Sequence, residues 1–220
     1  MNIFDIVGPV MVGPSSSHTA GAVKIGYISR KLLGESVKEA KIYLHGSFFA
    51  TGKGHGTDRA LVAGLLGMKP DDTRIPHSFE EAEKQGLSFS FHNIVLKDAH
   101  PNSCKLILTG ESGKLLTVIA SSIGGGRIQI NNIDGLGANF SGDSPTLIVH
   151  NEDRPGLVTK VSAILSQNHI NIATMQIYRD SRGGNAVMII ECDGEVPSQG
   201  LQTLKELDGV QNITYLSLLD

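Results

Sequence analysis

The sequence is poor in cysteine, has no run of basic residues and contains no long apolar stretch. Cys104 and Cys192 are its only cysteines among 220 residues. They lie far apart, each in a strand-like run, and offer no disulfide framework. An iron–sulfur cluster or a structural zinc site needs three or four ligands, so the chain cannot build either on its own thiolates. With a net charge of −3 and no Lys/Arg run, nucleic acid and anionic membrane are poor partners. No uninterrupted apolar run is long enough to span a bilayer. Met1 leads into Asn-Ile-Phe-Asp without a basic n-region, and together with the cysteine usage this sets a cytoplasmic location as the expectation. Low-complexity segments and internal repeats are also missing.

What remains is globular: 40 % hydrophobic and 19 % charged residues are enough for a packed core. The length suits one large or two small domains. Seven of the residues between 124 and 145 are turn formers: Gly124, Gly125, Gly126, Gly135, Gly137, Gly142 and Pro145. Within that stretch GLGANFSGDSP, 135 to 145, reads as a linker. The expected boundary falls near residue 141, giving domains 1–141 and 142–220.

The second domain is regular. TLIVHN (146–151) reads as a strand. A helix follows from Asp153 and Pro155, with Leu157, Val161, Ile164 and Leu165 on one face. Strands at 170–179 and 186–192 flank a turn at 181–185, a second helix opens at Pro197, and a strand closes at 210–219. The order β-α-β-β-α-β is the ferredoxin-like unit. The first domain is α+β. Helices are expected from about Thr19 to Leu33, at 57–67 with Thr57 or Asp58 as cap, and after a Ser78/Glu81 capping box. Strands are expected at 41–46, 87–93, 104–110, 115–122 and 127–133, the last four as an antiparallel meander.

Four stretches of the first domain are candidates to carry chemistry. In GPSSSHTAG (13–21), Ser15, Ser16, Ser17, His18 and Thr19 precede a helix. One hydroxyl is enough for a cap. The others add donors to a terminus that already attracts anions, so a small carboxylate or phosphate fits; a redundant cap is the plain alternative. In HGSFFATGKGHGTDRA (45–60), Gly52, Gly54 and Gly56 alternate with Lys53 and His55. Read as a loop, those glycine amides could converge on an anion. The Walker A ending is missing, and His55 is the group able to move a proton near neutrality. DAHPNS (98–103) is turn chemistry in which His100 and Asn102 gain interest only if they meet His18 and His55. SSIGGGR (121–127) reads as a tight connection.

In this order, GPSSSHTAG, HGSFFATGKGHGTD, HPNS and SIGGG resemble the beta chain of the bacterial iron–sulfur L-serine dehydratases. DRPGLVTKVSAILSQNHINIATM resembles the ACT domain family. The first domain also resembles the allosteric substrate-binding domain of some phosphoglycerate dehydrogenases. The dehydratase resemblance implies conversion of L-serine to pyruvate and ammonia. It also implies a 4Fe-4S cluster held by the cysteines of an alpha chain, not by this chain, whose open iron acts as Lewis acid on the serine hydroxyl. His18, His55 and His100 are then the acid/base candidates, and no metal ligand is expected here. Ser15, Ser16, Ser17, Thr19, Lys53, Gly54 and Asn102 are the candidates for binding L-serine. Asn151, Asp153, Gly156 and Leu157 occupy the ACT turn that would take an effector, and a homodimer through the ACT domain is expected. A non-catalytic serine-binding regulator and a dimerising scaffold are the rival classes.

Overall fold

The structure, a computed structural model, describes residues 10–219. Its contacts divide the chain into two units, Met1–Asp134 and Gly135–Asp220. Each is taken by itself.

In the first unit a π-helical turn, Ser16–Ala20, runs directly into α1, Gly21–Leu33. The expected helix start at Thr19 therefore falls inside a wider turn, closed by the Gly21 amide donating to the Ser16 carbonyl. Gly34 ends α1 in the left-handed conformation, φ 80°, which glycine adopts without strain. β1 (Val37–Leu44), α2 (Gly46–His55) and α3 (Thr57–Leu65) follow. A 3₁₀ turn, Ile75–His77, leads to α4, Ser78–Gln85. Then come β2 (Ser88–Asn93), β3 (Ser103–Gly110), β4 (Leu115–Gly124) and β5 (Arg127–Ile133).

The strand order is β2-β1-β3-β4-β5. β3, β4 and β5 form the expected meander, but β2 does not join it. β2 lies on the far side of β1 and runs parallel to it, Ala40 opposite Phe89 and Ile42 opposite Phe91. A sequence-adjacent strand usually pairs with its neighbour; here the DAHPNS segment is long enough to carry the chain across β1. Ala40, Ile42, Leu106, Leu108, Val118, Ala120, Ile128 and Ile130 form the buried face of the sheet. α1 packs against β3, β4 and β5 through that core.

Three local expectations change. The glycine-rich stretch is helical, not a loop: α2 spans Gly46–His55. Glycine costs a helix about 1 kcal/mol per residue, so packing holds α2 together, chiefly the fully buried Phe48. The Gly56 amide donates to the Gly52 and Lys53 carbonyls, so it closes the helix end. Neither expected cap is made. Gly56, φ 69°, precedes α3 and puts Thr57 and Asp58 inside it. Ser78 donates to the Arg59 carbonyl at 2.8 Å, while Glu81 pairs with Lys84. The connection at Gly125 and Gly126 is as tight as expected, both at positive φ, with Gly124 opposite Arg127 across the hairpin.

The second unit opens with β6, Leu136–Phe140, where a linker was expected; Ala138 and Phe140 are buried. β7 (Thr146–Glu152), α5 (Leu157–Gln167), β8 (Ile172–Arg179), β9 (Asn185–Cys192), α6 (Ser198–Lys205) and β10 (Val210–Leu216) complete it. Their sheet order, β10-β7-β9-β8, is the ferredoxin-like one read from the sequence. Leu147, Val149, Leu157, Val161, Leu165, Met188, Ile190 and Leu204 form its core.

The crossing of α1 and α3 is the tightest feature of the first unit. A Cβ on Gly64 would sit 2.0 Å from the Val23 carbonyl oxygen, and one on Gly26 2.4 Å from that of Leu61. We expect Gly64→Ala to destabilise the protein. The helix-propensity gain of about 1 kcal/mol is outweighed by overpacking of about 1–3 kcal/mol or more, because a backbone oxygen cannot move aside. Urea denaturation should give a lower midpoint; an unchanged or higher midpoint would refute the close crossing.

Candidate active site

The site grows out of that crossing. His18 sits in the π-helical turn that leads into α1, and His55 is the last residue of α2, just before α3. Thr19 is buried, and its hydroxyl donates to the His55 carbonyl at 3.0 Å. The two rings lie with centroids 4.9 Å apart. Phe48 meets the His18 ring edge-on at 5.5 Å.

Two residues that sequence reading passed over complete the arrangement. His18 Nε2 lies 3.0 Å from Ser47 Oγ and 3.1 Å from Thr51 Oγ1. Both hydroxyls come from α2, four residues apart, the spacing that puts side chains on one helix face. The signal was present in HGSFFATGKGH, but only a helical reading of that stretch aligns Ser47, Thr51 and His55.

The serine cluster divides. Ser15 Oγ accepts from the His18 amide at 3.1 Å and so caps the turn. Ser16 and Ser17 are half-buried within the turn. Lys53 and Gly54 are exposed on α2. His100 and Asn102 lie in the β2–β3 segment. There the Asn102 amide donates to His100 Nδ1 at 3.1 Å. His100 is exposed and lines an open groove of about 430 Å³ with Ile119, Ser121 and Asn131, a groove that neither His18 nor His55 lines. The backbone of the same segment nonetheless braces the site. The Pro101 carbonyl accepts from the Ser47 amide and the Asn102 carbonyl from the Ser122 amide, both at 2.8 Å. A Cβ on Gly21 would strike Ser122 Oγ at 2.1 Å. All four motifs thus meet around the start of α1.

Burial holds the His18 imidazole below the ordinary histidine range, and the neighbouring His55 adds to this, partly offset by the Ser47 carbonyl. His18 therefore stays neutral near pH 7. His55 Nδ1 is buried and has no hydrogen-bond partner among the described residues. A buried unsatisfied nitrogen costs about 1–3 kcal/mol, which a bound group or a transferred proton would offset.

The two cysteines do not fit a cluster. Cys104 and Cys192 are buried, belong to different units and have thiols pushed up to about 12 and about 11 by burial. Thiolates bind metal, thiols do not. No group of His, Cys, Asp or Glu among the described residues is arranged to hold a metal ion.

In the second unit the turn residues differ in their freedom. Asp153 binds the Arg179 guanidinium at 2.9 Å and accepts from the Gly183 amide; the amide first and then Arg179 hold its carboxyl below the usual range. Leu157 is core, and Gly156 opens α5 at φ 85°. Asn151 is buried with its Nδ2 on the Glu152 carbonyl and its Oδ1 without a partner among the described residues.

Comparison with known proteins agrees with these motifs. Residues 2–132 match the serine dehydratase beta chain family. The chain belongs to that family. Residues 145–209 match the ACT domain. An L-serine dehydratase beta chain from Peptoniphilus asaccharolyticus is 41 % identical over 86 % of this chain and 86 % of that one. A probable L-serine dehydratase beta chain from Bacillus subtilis is 38 % identical over 98 % of each. A D-3-phosphoglycerate dehydrogenase of Bacillus subtilis is 28 % identical over 90 % of this chain but only 37 % of its own length. No helix among the described residues is long and apolar enough to cross a membrane.

The lowered His18 pKa has a measurable consequence. Because the folded value lies below the unfolded one, the unfolded chain binds this proton more readily. The stability involved is fully present above the unfolded value, near 6.5, and is lost as pH falls through the folded value. An NMR titration of the His18 Cε1–H should have its midpoint below 6.5, and His55→Ala should raise it. A midpoint at or above 6.5 would contradict the paired, half-buried geometry.

Proposed function

We propose that this chain is the beta subunit of an L-serine dehydratase and that it supplies the proton-handling half of the site. The observation that carries the reading is the His18–His55 pair, 4.9 Å between ring centroids, in a family of serine dehydratase beta chains.

Dehydration removes a proton from Cα and hydroxide from Cβ of L-serine. The C–H electrons become the C=C bond of an enamine, which tautomerises and hydrolyses to pyruvate and ammonia. His18, kept neutral, is suited to take the Cα proton. His55 presents a second imidazole to the same space for protonating or orienting the departing group. Ser16 and Ser17 are the hydroxyls best placed to bind the carboxylate, with Lys53 adding positive charge. Thr19 ties His55 in place through its carbonyl. His100 and Asn102 line or border the neighbouring groove, which puts His100 behind the other two as an acid/base group.

A 4Fe-4S cluster does not fit the residues of this chain, so it is assigned to the companion alpha chain, and the isolated beta chain is expected to be colourless and inactive. The second unit is read as the regulatory and dimerising part. Within its turn, Asn151 is the residue whose side-chain oxygen is available to an effector, Gly156 and Leu157 shape the turn, and Asp153 fastens it to the β8–β9 hairpin.

In a two-chain enzyme reconstituted with the alpha chain, His18→Ala and His55→Ala should each lower kcat by about 10²–10⁴-fold. Ser16→Ala and Ser17→Ala should raise KM first. Near-normal kcat in both histidine variants would defeat this assignment.

A further inference from the structure

Two hydroxyls, those of Ser47 and Thr51, face His18 Nε2. Thr51 has one hydroxyl proton, and Thr51 Oγ1 donates it to the Ser47 carbonyl, one helical turn back, at 2.9 Å. Such back-bonding to residue i−4 is the usual resting place for a helical threonine proton. Toward His18 Nε2, at 3.1 Å, the Thr51 oxygen can then only accept. Ser47 Oγ, 3.0 Å from the same nitrogen, can also accept, and it can pass its own proton to Thr51 Oγ1 at 3.4 Å. A chain of donors follows: His18 Nε2–H to Ser47 and Thr51, Ser47 to Thr51, and Thr51 to the Ser47 carbonyl. A bare Nε2 could still accept the Ser47 proton at 3.0 Å, but the Thr51 oxygen, its own proton committed to the Ser47 carbonyl, would then face the nitrogen lone pair with no proton between them.

We propose that Ser47 and Thr51 are positioning residues that lock His18 in the tautomer protonated at Nε2, leaving Nδ1 as the atom that accepts the substrate proton. The proposal rests on His18 acting as base in the reading above. A purely structural role explains Thr51 poorly, since it is exposed and its hydroxyl supports no core contact.

The test uses the full chain labelled with ¹⁵N-histidine, its ring-nitrogen shifts recorded where His18 is neutral. Wild type should show one tautomer, with Nε2 protonated and Nδ1 bare. Thr51→Val keeps the shape but removes the acceptor, and with Ser47→Ala it should convert His18 to a mixture of both tautomers. Thr51→Ser should keep the wild-type pattern. In the reconstituted two-chain enzyme Thr51→Val should lower kcat about 10-fold, as loss of alignment does, with little change in KM, and Thr51→Ser should restore it. A wild-type His18 protonated at Nδ1, or a pattern unmoved by the double variant, overturns the tautomer lock. A switched tautomer with unchanged kcat overturns the positioning role. Failure of the underlying reading shows separately, as near-normal turnover in His18→Ala, and the ring-nitrogen pattern is read independently of it.

Discussion

The site depends on two backbones touching. At Gly26 and Gly64 the absent side chains let α1 and α3 meet at main-chain distance, where ordinary side chains keep helices about 8–10 Å apart. The paired contacts advance together along both helices: Thr19 with His55, Gly26 with Leu61 and Gly64, Arg30 with Leu65. The helices therefore run in the same direction, and their N-terminal ends lie side by side. His18 precedes one and His55 the other.

Two imidazoles this close cannot both be charged cheaply. Half-burial of His18 and the presence of His55 favour a neutral imidazole near pH 7. The hydroxyls of Ser47 and Thr51 then orient a neutral ring, a task for which they suit better than a carboxylate, since a carboxylate beside His18 would stabilise its protonated form. Ser15 and Thr19 work on the backbone, one capping the turn at His18 and the other holding the end of α2. Two hydroxyls of this segment thus build the backbone around the paired rings, already more than a single cap needs.

Much of this was legible in the sequence because it is local. The period of Leu157, Val161, Ile164 and Leu165 marks α5, and the ferredoxin-like order of the second unit follows from simple alternation. The SSSHT cluster and His55 stand out by composition. What could not be read is tertiary. α2 contains three glycines that argue for a loop, and burial, chiefly of Phe48, overrides them; with α2 hidden, Ser47 and Thr51 stayed hidden too. β2 pairs with β1 because the chain crosses over, an event with no periodic signature. His100 shares a motif segment with the brace at Pro101 and Asn102, but sequence proximity cannot tell a backbone that supports the site from a ring that borders a neighbouring groove.

The central claim is that this chain contributes imidazole and hydroxyl groups to a site completed by a second, cluster-bearing chain. A structure of the two-chain complex with L-serine bound tests it most directly. The account predicts His18 and His55 facing the substrate, with Ser47 and Thr51 behind His18 and the cluster ligated only by the companion. A complex in which the His18–His55 pair faces solvent, remote from serine and cluster, would contradict it.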